Sequence, residues 1–229
     1  MPKRHTQRKP QPFVQFSQAL VGLSLLSLGF FAIDVYQSHS WGDWYLVWNL
    51  FLAWIPLLLA FWLVNHLFAG QRWSDWGNIA LTLAWLLFLP NSFYMVSDFI
   101  HLQDTVRANV LFDALMFTLF IVNGLVLGYT SLYLVQLQLK RHLPPRQTWA
   151  FIAFVILMCS FAIYLGRDLR WNSWDVLVNP AGIIFDISER LLHPLSHPET
   201  FRVTAMFFAF LGGLYAVVWR SVRAIRAAG

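Results

Sequence analysis

Six apolar stretches decide what this chain can fold into. They run from Phe16 to Tyr36, Trp44 to Phe68, Trp76 to Phe99, Val110 to Leu137, Thr148 to Gly166 and Phe201 to Trp219. A hydrocarbon core about 30 Å thick is crossed by roughly twenty apolar residues of helix. Only helices and closed barrels satisfy their own backbone inside it, and continuous apolar runs select helices over alternating strands. The expectation is an all-α membrane protein with about six transmembrane helices. The 12% of residues that are charged fall well below the share of about a quarter seen in soluble domains.

The first stretch follows Lys3, Arg4, Arg8 and Lys9 and so has the layout of a signal peptide. No small-x-small cleavage site follows, and Phe30 and Phe31 stand where small residues are needed, so it reads as an uncleaved anchor. With the N-terminus inside, cytoplasmic segments hold eleven Lys and Arg and outer segments five. That bias places both termini in the cytoplasm. Residues 1–15 and 220–229 then form basic tails around a six-span domain, 16–219. The pI of about 9.7 reflects this distribution, and no nucleic-acid-reading motif accompanies it. Cys159, alone in the chain, cannot form an intramolecular disulfide.

Two loops that share the outer face in this topology carry unusual polarity. In "LPNSFYMVSDFIHL", Leu89 to Leu102, Pro90 falls inside the third stretch. The apolar run before it, Trp76 to Leu89, covers about 21 Å as helix and is too short to cross alone. The helix must continue past Pro90 or break there. Asn91 is placed either to bond backbone groups freed by the proline or to bind a ligand. On a resumed helix, Tyr94, Asp98 and His101 share a face. Asp98 and His101 are a pair suited to proton transfer, and they give two metal ligands where a site needs more. His193 and His197 could complete such a site only by folding over, and no metal or other cofactor is expected.

The second loop is "GRDLRWNSWDVL", Gly166 to Leu177. Arg167 and Arg170, three apart on a continuing helix, can clamp a phosphate or carboxylate with their planar donors. The same chemistry toward Asp98 or Asp175 serves structure alone. Asn172 and Asp175 resemble a capping box, and Trp171 and Trp174 suit a membrane interface. Asn179 and Pro180 open a short helix with Ile183, Ile184, Ile187 and Leu191 on one face. It is expected to lie on the outer surface, with a re-entrant segment from Val176 to Ile187 as the rival. Asp113 is the clearest intramembrane charge, with Arg107, Arg170 or His101 as partner or a proton in its place. Gly124 and Gly128 mark close helix packing. Asn49, Asn65 and His66 in the second stretch offer interhelical hydrogen bonds.

At "FLPNSFYMVSDFIHL" and "GRDLRWNSWDVL", supported by "NLFLAWIPLLLAFW" at Asn49 to Trp62 and the glycines of the fourth stretch, the chain resembles a family of bacterial multi-pass inner-membrane proteins known only as a domain of unknown function. The resemblance covers roughly Asn49 to Trp219. It implies a bacterial plasma membrane and no established activity. The family pattern carries Ala-Pro at the positions of Ser92 and Phe93, and an aromatic at Asp168, which leaves Asp168 out of a shared site.

Three functions fit these residues. One is an outer-face site of Asn91, Tyr94, Asp98, His101, Arg167, Arg170, Asn172 and Asp175 that binds an anionic or lipid-linked headgroup, with Asp98 and His101 as candidate catalytic groups. Neither Ser97 nor Ser173 sits in a nucleophile motif, so enzymatic activity stays open. The second is a structural or assembly subunit, with a membrane-protein partner, whose two motifs only lock helices together. The third is a proton-coupled transporter using a broken third span and Asp113.

Overall fold

The third apolar stretch does not break at its proline. In the computed structural model, which describes residues 12–104 and 110–228 and all their side chains except those of 12–14, 101–104, 226 and 228, helix α3 (Trp76–Tyr94) passes through Pro90. It then tightens into a 3-10 helix, Met95–Asp104. Before α3 come α1 (Pro12–Ser38) and α2 (Trp44–Phe68), and after it α4 (Val110–His142), α5 (Pro145–Asp168), α6 (Asp175–Val178), α7 (Pro180–Leu192) and α8 (Pro198–Ala228). Six helices are long and apolar enough to cross a membrane, and no strand occurs among the described residues. The basic N-terminal tail lies mostly outside the described residues, whereas α8 continues through residues 220–228.

Several helices outrun their apolar stretches because backbone bonding does not stop where hydropathy does. Pro145, Pro180 and Pro198 each open a helix, where a missing amide costs nothing and φ is already set. The last turn of α4 carries Lys140 and Arg141, cations that suit the negative end of the helix dipole.

Helix α4 is the central element. On one side it packs with α3, α5 and α8 around Trp85, Phe93, Leu132 and Tyr215; on the other it packs with α1 and α2 around Leu46, Met116, Phe117 and Phe120. Close approach is set by two glycines. A Cβ on Gly124 would stand 2.6 Å from the Ser92 carbonyl oxygen, and one on Gly128 2.7 Å from the Phe93 ring. The small-residue spacing thus seats the end of α3 against α4. Tilted rings then pack down this seam, Phe93 against Tyr129 at 5.2 Å and Tyr129 against Tyr215 at 5.5 Å.

Buried polar groups tie the spans together. Asn123 of α4 donates to Ser24 and Ser27 of α1, and Trp54 of α2 also donates to Ser24. Pro56 removes an amide from α2, and neighbouring hydroxyls bond carbonyls close by. Ser92 donates to Ala53 and Ser131 to Pro56, each at 3.0 Å. In hydrocarbon such bonds satisfy groups that water cannot reach. Leu25, Phe51, Trp62, Leu83, Phe154 and Val217 point outward, as a lipid-facing belt requires.

Candidate functional site

Chain direction alone brings the start of α2, the end of α3 and the end of α5 to one end of the bundle. There a cavity of about 370 Å3 opens between them, within the range of about 300–1,000 Å3 typical of small-molecule sites. Tyr45, Trp48 and Asn49 of α2 line one wall, and Pro90, Asn91, Tyr94 and Asp98 another. Leu165 and Gly166 close it with Trp171, Asn172 and Ser173 of the following loop, while Val176, Ile183 and Ile187 of α6 and α7 cover it.

The two motifs meet through neutral groups. Asn91 Nδ2 donates to the Phe88 carbonyl at 3.0 Å and to Ser173 Oγ at 2.9 Å. Ser173 Oγ donates in turn to the Leu87 carbonyl at 3.1 Å. Both amide hydrogens of Asn91 are therefore committed, and the carbonyls just before Pro90 are bonded from two sides. The proline itself takes the helical donor from the Leu86 carbonyl, and α3 nevertheless runs on through Pro90, so the broken third span of the transporter reading does not occur. Ser173 gave no signal beyond being a serine near Asn172; only the tertiary contact reveals its part.

Asp98 is 2% exposed and accepts from Asn49 Nδ2 at 3.1 Å. Asn49, expected only to pack, thus reaches the site. The segment carrying Asp98 is a 3-10 helix, in which residues three apart eclipse while residues four apart diverge. Tyr94 and Asp98 therefore do not share a face by α-helical register; they line one cavity because the helix changes pitch between them. The side chain of His101 lies outside the described residues.

The arginine clamp does not form. Helix α5 ends at Asp168, and Arg170 takes a left-handed backbone with φ of 61°. The three-residue spacing to Arg167 no longer holds the two side chains on one face, since the helix that fixed that face has ended. Arg167 turns to its neighbour Asp168, Nη2 to Oδ1 at 3.2 Å. Arg170 is exposed and makes no hydrogen bond or ion pair among the described residues. Neither arginine lines the cavity, nor does Asp175, which accepts from the Asn172 amide at 2.7 Å in half of a capping box.

Sequence reasoning missed a second junction beside the cavity. Trp171 Nε1 donates to Asp186 Oδ2 at 2.7 Å, and Asp186 pairs with Arg190 at 3.1 Å. Arg190 Nε reaches the Tyr164 hydroxyl at 3.4 Å. Arg190 is 8% exposed. Helix α7 turns Ile183, Ile187 and Arg190 inward and leaves Ile184, Phe185 and Leu191 outside. The apolar face drawn from spacing is thus split. Asn179 caps α7, accepting from the Gly182 amide at 3.1 Å.

Asp113 is buried in the first turn of α4; of the partners expected for it, Arg107 and the side chain of His101 lie outside the described residues, and Arg170 makes no ion pair with it. Among the described residues no three His, Cys, Asp or Glu gather to hold a metal. His193 and His197 both approach Glu189, each at 4.0 Å. Ser97 Oγ donates to the Tyr94 carbonyl, so its hydroxyl, like that of Ser173, serves the backbone.

These features define a multi-pass, all-helical membrane protein whose two polar motifs join at one end of the bundle. The family model described as "Protein of unknown function (DUF1361)" matches residues 48–213, and the chain belongs to that family. No curated protein and no solved structure matches it.

Proposed function

We propose that the cavity receives the polar head of an amphipathic, lipid-like molecule, and that the two motifs lock α2, α3 and α5 into the shape that holds it. The observation that carries this reading is the convergence of Asn49, Tyr94, Asp98 and Asn172 on a cavity otherwise walled by Leu52, Leu87, Leu165, Val176 and Ile183. Apolar walls with a few convergent polar groups are the usual composition of a small-molecule site. Tails of such a ligand would continue into the bilayer alongside Trp48 and Val176, both partly exposed. No reaction is part of the proposal, since both nearby serines donate to backbone carbonyls.

The proposal places the cavity on the extracytoplasmic side of a bacterial plasma membrane, on the excess of Lys and Arg in the segments assigned to the cytoplasm. Single cysteines at Asn179 and Gln147, in a Cys159→Ala background, test the sidedness: an impermeant maleimide added to intact cells is expected to label the first and spare the second. For the ligand, native mass spectrometry of the protein in mild detergent is expected to show retained lipid, lost in Val176→Trp and in Ala162→Phe, since Ala162 of α5 also lines the cavity. Equal retention in both variants would remove the cavity from consideration.

The alternative, a structural or assembly subunit, is favoured by one specific observation: Asn91, Ser173, Arg167, Asp175 and Trp171 all spend donors or acceptors on the fold itself. Under that alternative the cavity-filling variants stay fully active in cells, and only variants that unlock the junctions have a phenotype.

A further inference from the structure

We infer that a groove between α4 and α8, at the end of the bundle away from the cavity, binds the phosphate of an anionic phospholipid. Both helices start at the cavity end and run the same way. They meet through long side chains in register along both: the Tyr129 hydroxyl donates to the Leu211 carbonyl, the Tyr215 hydroxyl donates to Gln136, and Lys140 lies over the Trp219 ring. Helices held apart by rings leave space between them. At their far end it opens as a groove of about 320 Å3 lined by Tyr133, Leu137, Lys140, Trp219, Arg223 and Ala227.

The groove is graded from apolar to basic. Each helix gives it one face, since its lining residues recur every three or four positions. Deeper in the bundle Tyr133 and Trp219 pack ring against ring at 5.3 Å, and Trp219 is 3% exposed. One to two turns further along, Lys140 and Arg223 are both exposed. The Lys140 ammonium stands 5.2 Å from the Trp219 ring centre, so it is positioned over the groove by a contact that supplies no acceptor atom. Arg223 adds a planar fork of donors suited to phosphate. A phospholipid has the same order, apolar chains below and phosphate above, and basic pockets between membrane helices take anionic heads in this way. Carboxylates do not compete for these cations: neither Lys140 nor Arg223 forms an ion pair among the described residues. The sequence has no Asp or Glu in residues 1–11, between Asp113 and Asp168 or after Glu199. Asp75, on the loop before α3, accepts from the Arg72 amide at 2.8 Å. Asp104, whose side chain lies outside the described residues, precedes α4, about 45 Å from Lys140 along that helix.

The test is native mass spectrometry of the full chain with phosphatidylglycerol and phosphatidylcholine of identical acyl chains. Choline neutralises its own phosphate and meets Lys140 and Arg223 as repulsion, so wild type is expected to prefer phosphatidylglycerol by about tenfold, the scale of two interfacial cations acting on one net charge. The double variant Lys140→Gln/Arg223→Gln is expected to shrink that preference to within about twofold. Should it fail to fold, Arg223→Gln alone, at an exposed position, is expected to lose about threefold. Arg72→Gln/Arg146→Gln removes the same charge from exposed positions outside the groove and is expected to keep most of the preference. An equal fall in both double variants would mean that overall charge attracts the lipid, and would overturn the groove. Equal binding of the two lipids by wild type overturns it as well. Val176→Trp, which fills the cavity at the other end, is expected to leave the preference unchanged; its loss there would assign the anion to the cavity instead. Glycerol phosphate that competes as well as the lipid would overturn the lipid as occupant.

Discussion

Replacing Ser173 by alanine should weaken the fold more than removing either arginine of the same loop. Ser173→Ala deletes one hydrogen bond to the Leu87 carbonyl and the acceptor used by Asn91. Within membranes such bonds average about 0.6 kcal/mol each, and in proteins generally about 0.5–1.5. The expected cost is therefore about 1–2 kcal/mol. Asn91→Ala loses the shared bond and its bond to Phe88 and should cost about the same. Because one bond is common to both changes, the double variant should cost less than the sum, with a coupling of roughly 0.6–1 kcal/mol. Arg167→Ala breaks a pair between side chains one-third exposed and should cost less than about 1 kcal/mol. Equilibrium unfolding in mixed micelles measures all four. Strictly additive costs for Asn91 and Ser173, or Arg167→Ala as the most damaging change, would show that charge rather than the neutral junction joins the motifs.

Gly124→Ala, whose Cβ meets backbone at 2.6 Å, is expected to cost about 1–3 kcal/mol by overpacking. Gly212→Ala, with nothing within 4 Å of the new atom, should be neutral or stabilising by up to about 1 kcal/mol; equal thermal stability of the two variants would contradict the seating of α3 on α4. Arg170→Gly relieves a left-handed backbone at φ 61° and should stabilise by a few tenths to about 1 kcal/mol, so a destabilised protein in the same melt would mean the side chain makes contacts of its own. Arg190→Met strips Asp186 of its cation and should cost about 1–3 kcal/mol, below the value for fully buried pairs because Asp186 is partly exposed; loss of the Trp171 environment should appear in the fluorescence spectrum, and an unchanged spectrum with unchanged stability would refute the junction.

Residue order alone determined the architecture. Apolar runs about the thickness of a bilayer can only become membrane helices, because their backbone has no other partner there. The Pro180 helix start, the Asn179 cap and the glycine seam were also legible, since each depends on neighbours within a few residues or on one repeated spacing. The composition of the site was decided elsewhere. Arg167 and Arg170 were paired by assuming α5 continues; a left-handed turn after Asp168 ended that register and took both from the cavity. Asn49, Ser173 and Arg190 entered the site or its border through partners 49, 82 and 26 residues away. Such contacts follow from which helix faces meet, and helix faces meet according to packing of the whole bundle. The sequence therefore determined what kind of molecule this is and which end is polar, while the packing of the helices decided that Asp98 and four aromatic residues line the cavity and that neither Arg167 nor Arg170 does.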